Sequence, residues 1–473
     1  MRVLRWLTVA ALATVGGLGI FGTQGCGTDG TESVFDGGAS SSGNSSSGAS
    51  SGIFPPDDSG TGEGSAPCRG LECLRVSCTS GPKTSIKGRI FEPAGKIPLY
   101  NIIVYIPNAP LPAITHGASC DKCGSLAVSP VVSAITDEKG DFVLDDVPVS
   151  DKIPLVIQVG KWRRAIEVKV EACKENTYNK KDASGNEDVM RLPRNQDEGE
   201  LPQMAVSTGS ADPLPCLLPR IGIDPKEFTN PTGTGRVHVF HGNGGNVAGA
   251  SNNESNTALW NSTASLSKYD MVLLSCEGAE HNETKSPAQM GFLRDYLNVG
   301  GRVFATHYHY TWFKNGPADL QSVATWGSTA GARNGAATFN LDTSFPKGAS
   351  FGKWLQNNGS SPDGATMSMT EVAYSITQHT AASASQWVYT NAEQYKTKYM
   401  SFNTPVGLKP EDQCGKGVLS DIHVSAGTNA TTIPTTCGNA DLTPQEKALL
   451  FLLMDLSSCV QDDKVAPKPP PPR

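Results

Sequence analysis

The chain has 473 residues, 18% of them charged, with 50 Gly, 32 Pro and a formal net charge of -7. That length exceeds one ordinary core, so two folded domains with unstructured spacers are expected. A net negative chain gives no footing for nucleic-acid binding, and abundant Gly and Pro favour loop-rich β-containing folds over helical bundles.

Residues 1–25 begin M-R-V-L-R-W, two positive charges ahead of an apolar segment over 6–21, and read as an export signal. The segment ends T-Q-G-C at Cys26, which resembles a bacterial lipoprotein signal. That resemblance implies lipidation of Cys26, a membrane partner through the lipidated N-terminus, and an extracytoplasmic place in the bacterial cell envelope. Cleavage by an ordinary signal peptidase, with secretion, is the alternative. Residues 26–67, mostly Gly, Ser, Thr and Asp, cannot bury enough surface to offset their ordering entropy and read as a disordered tether.

Twelve cysteines are present. Without Cys26 eleven remain, and if Cys276 is the unpaired thiol the other ten can form five disulfides. Cys120 and Cys123 form C-D-K-C, but no second ligand pair stands at metal-site spacing and the motif does not open a helix. Structural disulfides in an oxidising compartment are therefore expected.

Across 68–193, short alternating runs separated by D-E-K-G and Pro turns read as an antiparallel β-sandwich. Ile86, Ile90, Ile102, Val104 and Ile106 are candidate inward residues; Gly140 supplies a turn, and Phe142 and Leu144 face the core. The runs G-R-I-F-E-P-A-G-K-I-P-L-Y-N-I-I-V-Y-I and T-D-E-K-G-D-F-V-L-D-D-V-P resemble the carboxypeptidase regulatory-like family. That family implies a transthyretin-like accessory sandwich without catalytic residues. The K-W-R-R run over 161–164 is either a solvated basic face or a site for an acidic partner. Residues 194–219 read as an irregular connector.

The second domain spans 220–460, and its centre is a βαβ unit. Met271–Leu274 is apolar and runs into the corner S-C-E-G. Ser286 caps a helix with Pro287 in first position and Gln289 three residues after the cap; Met290, Leu293, Tyr296 and Leu297 form its apolar face, and Gly300 and Gly301 end it. The next apolar run stops at His307 and His309. Ligands in such sheets sit beyond the carboxyl ends of the strands, where Cys276 and His307 fall. Residues 311–410 read as lid or rim loops, and their tryptophans as core filling. A late strand from Val418 ends on Asp421 and His423, Thr443 caps the final helix with Glu446 closing the capping box, and 461–473 is a Pro-rich, extended tail.

The segments Y-D-M-V-L-L-S, D-Y-L-N-V-G-G-R-V-F-A-T-H and G-K-G-V-L-S-D-I-H resemble the class I glutamine-amidotransferase-like superfamily, especially its ThuA-like branch. The resemblance implies an α/β flavodoxin-like three-layer domain with a mostly parallel sheet. It matches His307 and His423 to the family's strand-end histidines. Amidotransferases carry their nucleophile in a G-x-C-x-G-type elbow, whereas here the corner reads L-S-C-E-G, without the leading Gly. Cys276, His307, His423 and Asp421 are the candidate catalytic residues, Asp421 or Glu277 orienting an imidazole. His241, Glu277, His309 and Tyr310 are candidate ligand-binding residues. No cofactor or resident metal is expected, although two or three of His281, His307, His309 and His423 with a carboxylate could bind zinc. The leading expectation is a non-catalytic binding or scaffolding protein for an envelope glycan, peptide or protein. The alternative is a Cys-dependent hydrolase or transferase on envelope carbohydrate or peptide.

Overall fold

Residues 68–123, 130–178, 190–249, 254–332, 335–424 and 430–472 are described by a computed structural model. The chain clusters into two units, Met1–Ser51 and Gly52–Arg473, and every described residue belongs to the second. The expected signal, the tether and Cys26 lie outside the described residues.

The architecture is mixed α/β with several sheets. Seven strands come first: β1 (Ser85–Arg89), β2 (Ile103–Pro107), β3 (Pro130–Ile135), β4 (Asp141–Asp145), β5 (Ser150–Val159), β6 (Trp162–Val170) and β7 (Glu175–Thr177). They form a three-stranded sheet, β4-β1-β7, and a four-stranded sheet, β3-β2-β5-β6. The alternation in the sequence is realised: Ile86, Ile90, Ile102, Val104 and Ile106 are fully buried. Gly140 makes its turn at φ 76, in the left-handed region, and delivers β4 with Phe142 and Leu144 inward and Val143 outward.

The remaining strands are β8 (Met204–Ser207), β9 (Phe228–Thr229), β10 (Val237–Phe240), β11 (Asn246–Val247), β12 (Met271–Leu274), β13 (Arg302–Thr306), β14 (Ala324–Ala332), β15 (Ala336–Leu341), β16 (Thr366–Thr370), β17 (Ala373–His379), β18 (Ala384–Tyr389), β19 (Thr397–Thr404), β20 (Gly415–Ser420) and β21 (Thr432–Ile433). Twelve of them make one sheet, ordered β16-β15-β18-β19-β20-β13-β12-β8-β10-β9, with β14 and β17 joined through β19. The run β20-β13-β12-β8-β10-β9 is parallel; every other ladder of this sheet is antiparallel.

Two expectations are corrected here. The sheet is not mostly parallel, because 311–410, read as lid loops, supplies the antiparallel strands β14 to β19. Within the stretch read as an irregular connector, 194–219, β8 is the strand between β12 and β10, paired with both. It spans only four residues and follows Pro202 and Gln203, so it has no alternation to display.

The βαβ unit forms as expected: β12 and β13 pair in parallel from Met271 with Arg302, and Ser286 and Gln289 make a reciprocal capping box on the helix Pro287–Asn298. The helix Pro444–Ser457 carries a second capping box, Thr443 with Glu446. Nearly all of that helix is buried, because the large sheet covers one side while the helix Pro346–Asn357 and the loop before β2 pack on it as well. Tyr100 stacks on Phe451 at 5.7 Å, and Trp354 Nε1 donates to the Pro98 carbonyl at 2.8 Å. One continuous hydrophobic cluster runs from Ile86 and Ile102 to Val418 and Leu449.

Covalent and ionic links fasten the same seam. Among the described residues five disulfides form, Cys68–Cys73, Cys78–Cys173, Cys120–Cys414, Cys123–Cys459 and Cys216–Cys437, of which Cys120–Cys414 and Cys123–Cys459 cross the seam, and Cys276 is free. C-D-K-C is thus neither a redox pair nor a metal half-site: each cysteine reaches a different partner across the seam. The K-W-R-R run is also consumed internally. Lys161 pairs with Asp270 at 2.6 Å, Trp162 is fully buried, and Arg163 pairs with Glu200. The C-terminal segment is not a free tail, since Asp463 and Pro470 are buried and Ser133 Oγ donates to the Pro470 carbonyl. Among the described residues no helix is long and apolar enough to cross a membrane.

Glu92, 1% exposed, gives this seam a pH dependence. Burial pushes its carboxyl up to about 7 against the backbone N–H groups of Lys96, Ile97 and Gly95. A carboxyl raised above its unfolded value stabilises the fold while protonated, so its contribution falls as pH rises from about 4.5 to about 7. Chemical unfolding at about pH 5 and about pH 8 should show the parent losing about 2.5 kcal/mol more than Glu92→Gln. Equal losses in the two proteins would contradict this account of Glu92.

Candidate functional site

Adjacent parallel strands bring the candidate residues to one edge. β12 runs into Ser275, Cys276 and Glu277; β13 runs into His307; β20 runs into Asp421 and His423; β8 runs into the loop that carries Asp212. Each strand ends on the same side because the ladders are parallel, so residues far apart in sequence become neighbours.

Cys276 is fully buried, and its Sγ lies 3.5 Å from His307 Nδ1. Its backbone N–H donates to Thr306 Oγ1 at 2.9 Å, which fixes the corner against the neighbouring strand. Burial pushes the thiol up to about 12, with Asp212 and Asp421 adding to the rise and the amides of Tyr308 and Gly278 opposing it. His307 holds φ at 40, a left-handed conformation that an L side chain adopts only under constraint. Burial and the neighbouring His423 push its imidazole down to about 3. The contact therefore joins a neutral thiol to a neutral imidazole and is not a thiolate–imidazolium pair.

The His307 and His423 rings lie 5.2 Å apart. One donor atom each from Cys276, His307 and His423 falls within 4.8 Å of the others, and all three residues are buried. A thiol and two imidazoles at this spacing could hold a metal ion. This set differs from the histidine-plus-carboxylate grouping suggested by the sequence. His281 lies in the loop after the Cys276 corner and pairs with Glu283 at 2.8 Å.

Neither Asp421 nor Glu277 is hydrogen-bonded to the ring of His307 or His423; Glu277 lies 3.8 Å from His309 Nε2 instead. Asp421 accepts from the Ser375 N–H at 2.9 Å and the Ser375 hydroxyl at 2.7 Å, and burial raises its carboxyl against Lys398, Ser375 and His423. Glu277 accepts from Lys285 Nζ at 2.9 Å and Asn256 Nδ2 at 2.7 Å. Burial opposes its ionisation, but His309, Lys285 and Asn256 hold its carboxyl below the usual range. Lys285 also donates to the Glu280 carbonyl, so this ion pair staples the loop after Cys276.

Of the candidate ligand-binding residues, His309 is a structural node. Its Nε2 donates to the Ser275 carbonyl at 3.0 Å and its Nδ1 accepts from Trp312 Nε1 at 3.1 Å, which uses both nitrogens. The Tyr310 hydroxyl donates to Glu280. His241 follows β10, two strands from β12, half-buried and with Nδ1 unpartnered.

Sequence reasoning missed Asp212. It is fully buried, its Oδ1 accepts from the Val424 N–H at 3.0 Å, it helps to raise the Cys276 thiol, and His423 acts to lower its carboxyl. Burial raises its carboxyl. The available signal was a lone Asp after M-A-V-S-T-G-S-A, legible only once β8 is recognised as a strand.

No protein-family model and no curated protein matches the chain. Among solved structures it is distantly similar to a putative ThuA-like protein from Bacteroides uniformis, at 9% identity over 46% of this chain and 80% of that one, with a TM-score of 0.27. It is likewise distantly similar to the cytoplasmic protein STM3548 from Salmonella typhimurium, at 11% identity over 55% of this chain and all of that one, with a TM-score of 0.31.

Proposed function

We propose that the chain is an exported, envelope-anchored binding or scaffolding protein whose ThuA-like, amidotransferase-like domain does not use its thiol as a nucleophile. The observation that carries this reading is the full burial of Cys276 against His307, a burial that pushes the thiol up to about 12 and the imidazole down to about 3. A thiol nucleophile needs thiolate character and access, and this one has neither. Five disulfides favour an oxidising compartment, in keeping with export and with anchoring through Cys26. The carboxypeptidase regulatory-like sandwich over the early strands is then a rigid buttress for the sheet, and the ligand is an envelope glycan or peptide.

The test is turnover by the full chain of amide, ester and glycan substrates from the envelope, beside Cys276→Ala. No thiol-dependent turnover is expected, and Cys276→Ala should keep whatever binding to isolated envelope carbohydrate or peptide the parent shows. Turnover abolished by Cys276→Ala would make the protein a Cys-dependent hydrolase or transferase, the reading that the 3.5 Å thiol–imidazole contact favours.

A further inference from the structure

The edge holds more unpaired buried polarity than a non-functional core should. Nε2 of His307, Nε2 of His423 and Oδ2 of Asp212 are buried without a hydrogen-bond partner. Each such atom costs about 1–3 kcal/mol, and a native fold keeps several together where something further satisfies them. His307 and His423 are 3% and 9% exposed, so bulk water does not.

A thiol–imidazole hydrogen bond does not account for the cluster. It uses one donor and one acceptor between Cys276 and His307, and gives no part to His423, whose Nε2 stays unpaired. The left-handed backbone at His307 is a further cost that such a bond does not explain.

We propose that Cys276, His307 and His423 form a transition-metal site, in which a thiolate and two imidazoles hold one divalent ion of the zinc class and leave a fourth position open. The dimensions fit. Tetrahedral zinc with ordinary Zn–S and Zn–N lengths holds its sulfur and nitrogen about 3.5 Å apart. The Cys276 Sγ to His307 Nδ1 separation is 3.5 Å, and the His423 donor needs only a small ring movement, since all three donor atoms already lie within 4.8 Å.

The chemistry fits as well. One sulfur and two imidazole nitrogens suit zinc and its neighbours and do not suit magnesium or calcium, which require oxygen. Asp212, bonded to the N–H of Val424 next to His423, and Asp421, two residues before His423, are fully buried beside the cluster. On binding, the Cys276 proton leaves to solvent, sulfur and nitrogen lone pairs form the metal bonds, and no electron changes hands. Asp212, whose Oδ2 lacks a partner and whose carboxyl interacts with His423, is the group placed to support that imidazole.

This goes beyond the binding-protein reading. Without the metal, that reading would still stand on the state of the thiol.

The experiment is titration of the full-length, chelator-treated and unreduced chain with cobalt(II), then back-titration with zinc(II). One equivalent of cobalt should bind with a thiolate-to-metal charge-transfer band and visible bands of four-coordinate cobalt, and zinc should displace it. Cys276→Ser should abolish the thiolate band, and His423→Gln should weaken cobalt binding at least about a hundredfold. His281→Gln, on its exposed loop, should change nothing. Thermal denaturation reports folding of each variant, and His307→Asn supplies a second ligand deletion should His423→Gln unfold. Failure of the folded parent to bind cobalt saturably, or a spectrum unchanged by Cys276→Ser, would overturn the site.

Discussion

Replacing Lys416 by methionine should cost about 3–5 kcal/mol of folding stability. Lys416 leaves β20 into a cluster of four buried charges with Lys347, Asp455 and Asp463, whose side chains are 1% to 6% exposed. Lys347 Nζ lies 2.7 Å from Asp455 and 3.0 Å from Asp463, while Lys416 Nζ lies 2.8 Å from Asp463 and also bonds Asp455. Two ammonium groups balance two carboxylates, and Ser401 Oγ adds a further bond to Asp463 at 2.8 Å. Burial would raise the Asp463 carboxyl, but Lys416 and Lys347 overcome it and hold it well below the usual carboxylate range.

Removing one ammonium strands a net negative charge where water cannot reach it, so the loss exceeds the value of one hydrogen bond. The cluster joins β20, two helices and the C-terminal segment, and the loss should therefore appear in global unfolding and not as local fraying. Urea unfolding of the disulfide-intact protein gives the number. Lys96→Met, which removes an exposed pair with Asp441, should stay within about 0.5 kcal/mol of the parent. A loss below about 1 kcal/mol for Lys416→Met would mean that the cluster is hydrated, contrary to its burial.

The legible parts of the fold were those governed by local rules. The capping boxes at Ser286 and Thr443 are written in adjacent residues, and both formed. The inward alternation from Ile86 to Ile106 depends on strand period alone. Among the described residues the eleven cysteines form five pairs and leave one free thiol, Cys276.

What stayed hidden depends on long-range pairing. β8 is four apolar and small residues behind a proline, and only its two neighbours make it a central strand. The strands from β14 to β19 carry Gly, Ser, Thr and Asn at many positions, so their antiparallel ladder looks like loop in the sequence. K-W-R-R read as surface because nothing local predicts that Asp270 and Glu200 will meet it.

For the site, Cys276, His307 and His423 stand at neighbouring strand ends, with their donor atoms within 4.8 Å of one another. Pairing roles were not legible: Asp421 serves Ser375, Glu277 serves Lys285, and His309 serves Ser275 and Trp312. Asp212 was invisible for the same reason as β8.

The claim on which the functional reading depends is that Cys276 is sealed and protonated at neutral pH. Its thiol is pushed up to about 12 and its side chain is fully buried, so both thiolate fraction and access are lost. The higher intrinsic nucleophilicity of a basic thiolate recovers only part of that deficit. The direct measurement is the rate of iodoacetamide labelling at Cys276 in the folded, metal-free, unreduced chain, followed by peptide mass and compared with the same chain in denaturant. The account predicts labelling at least about a hundredfold slower in the folded protein. Equal rates would mean an exposed, ionisable thiol beside His307, and would contradict the binding-protein reading.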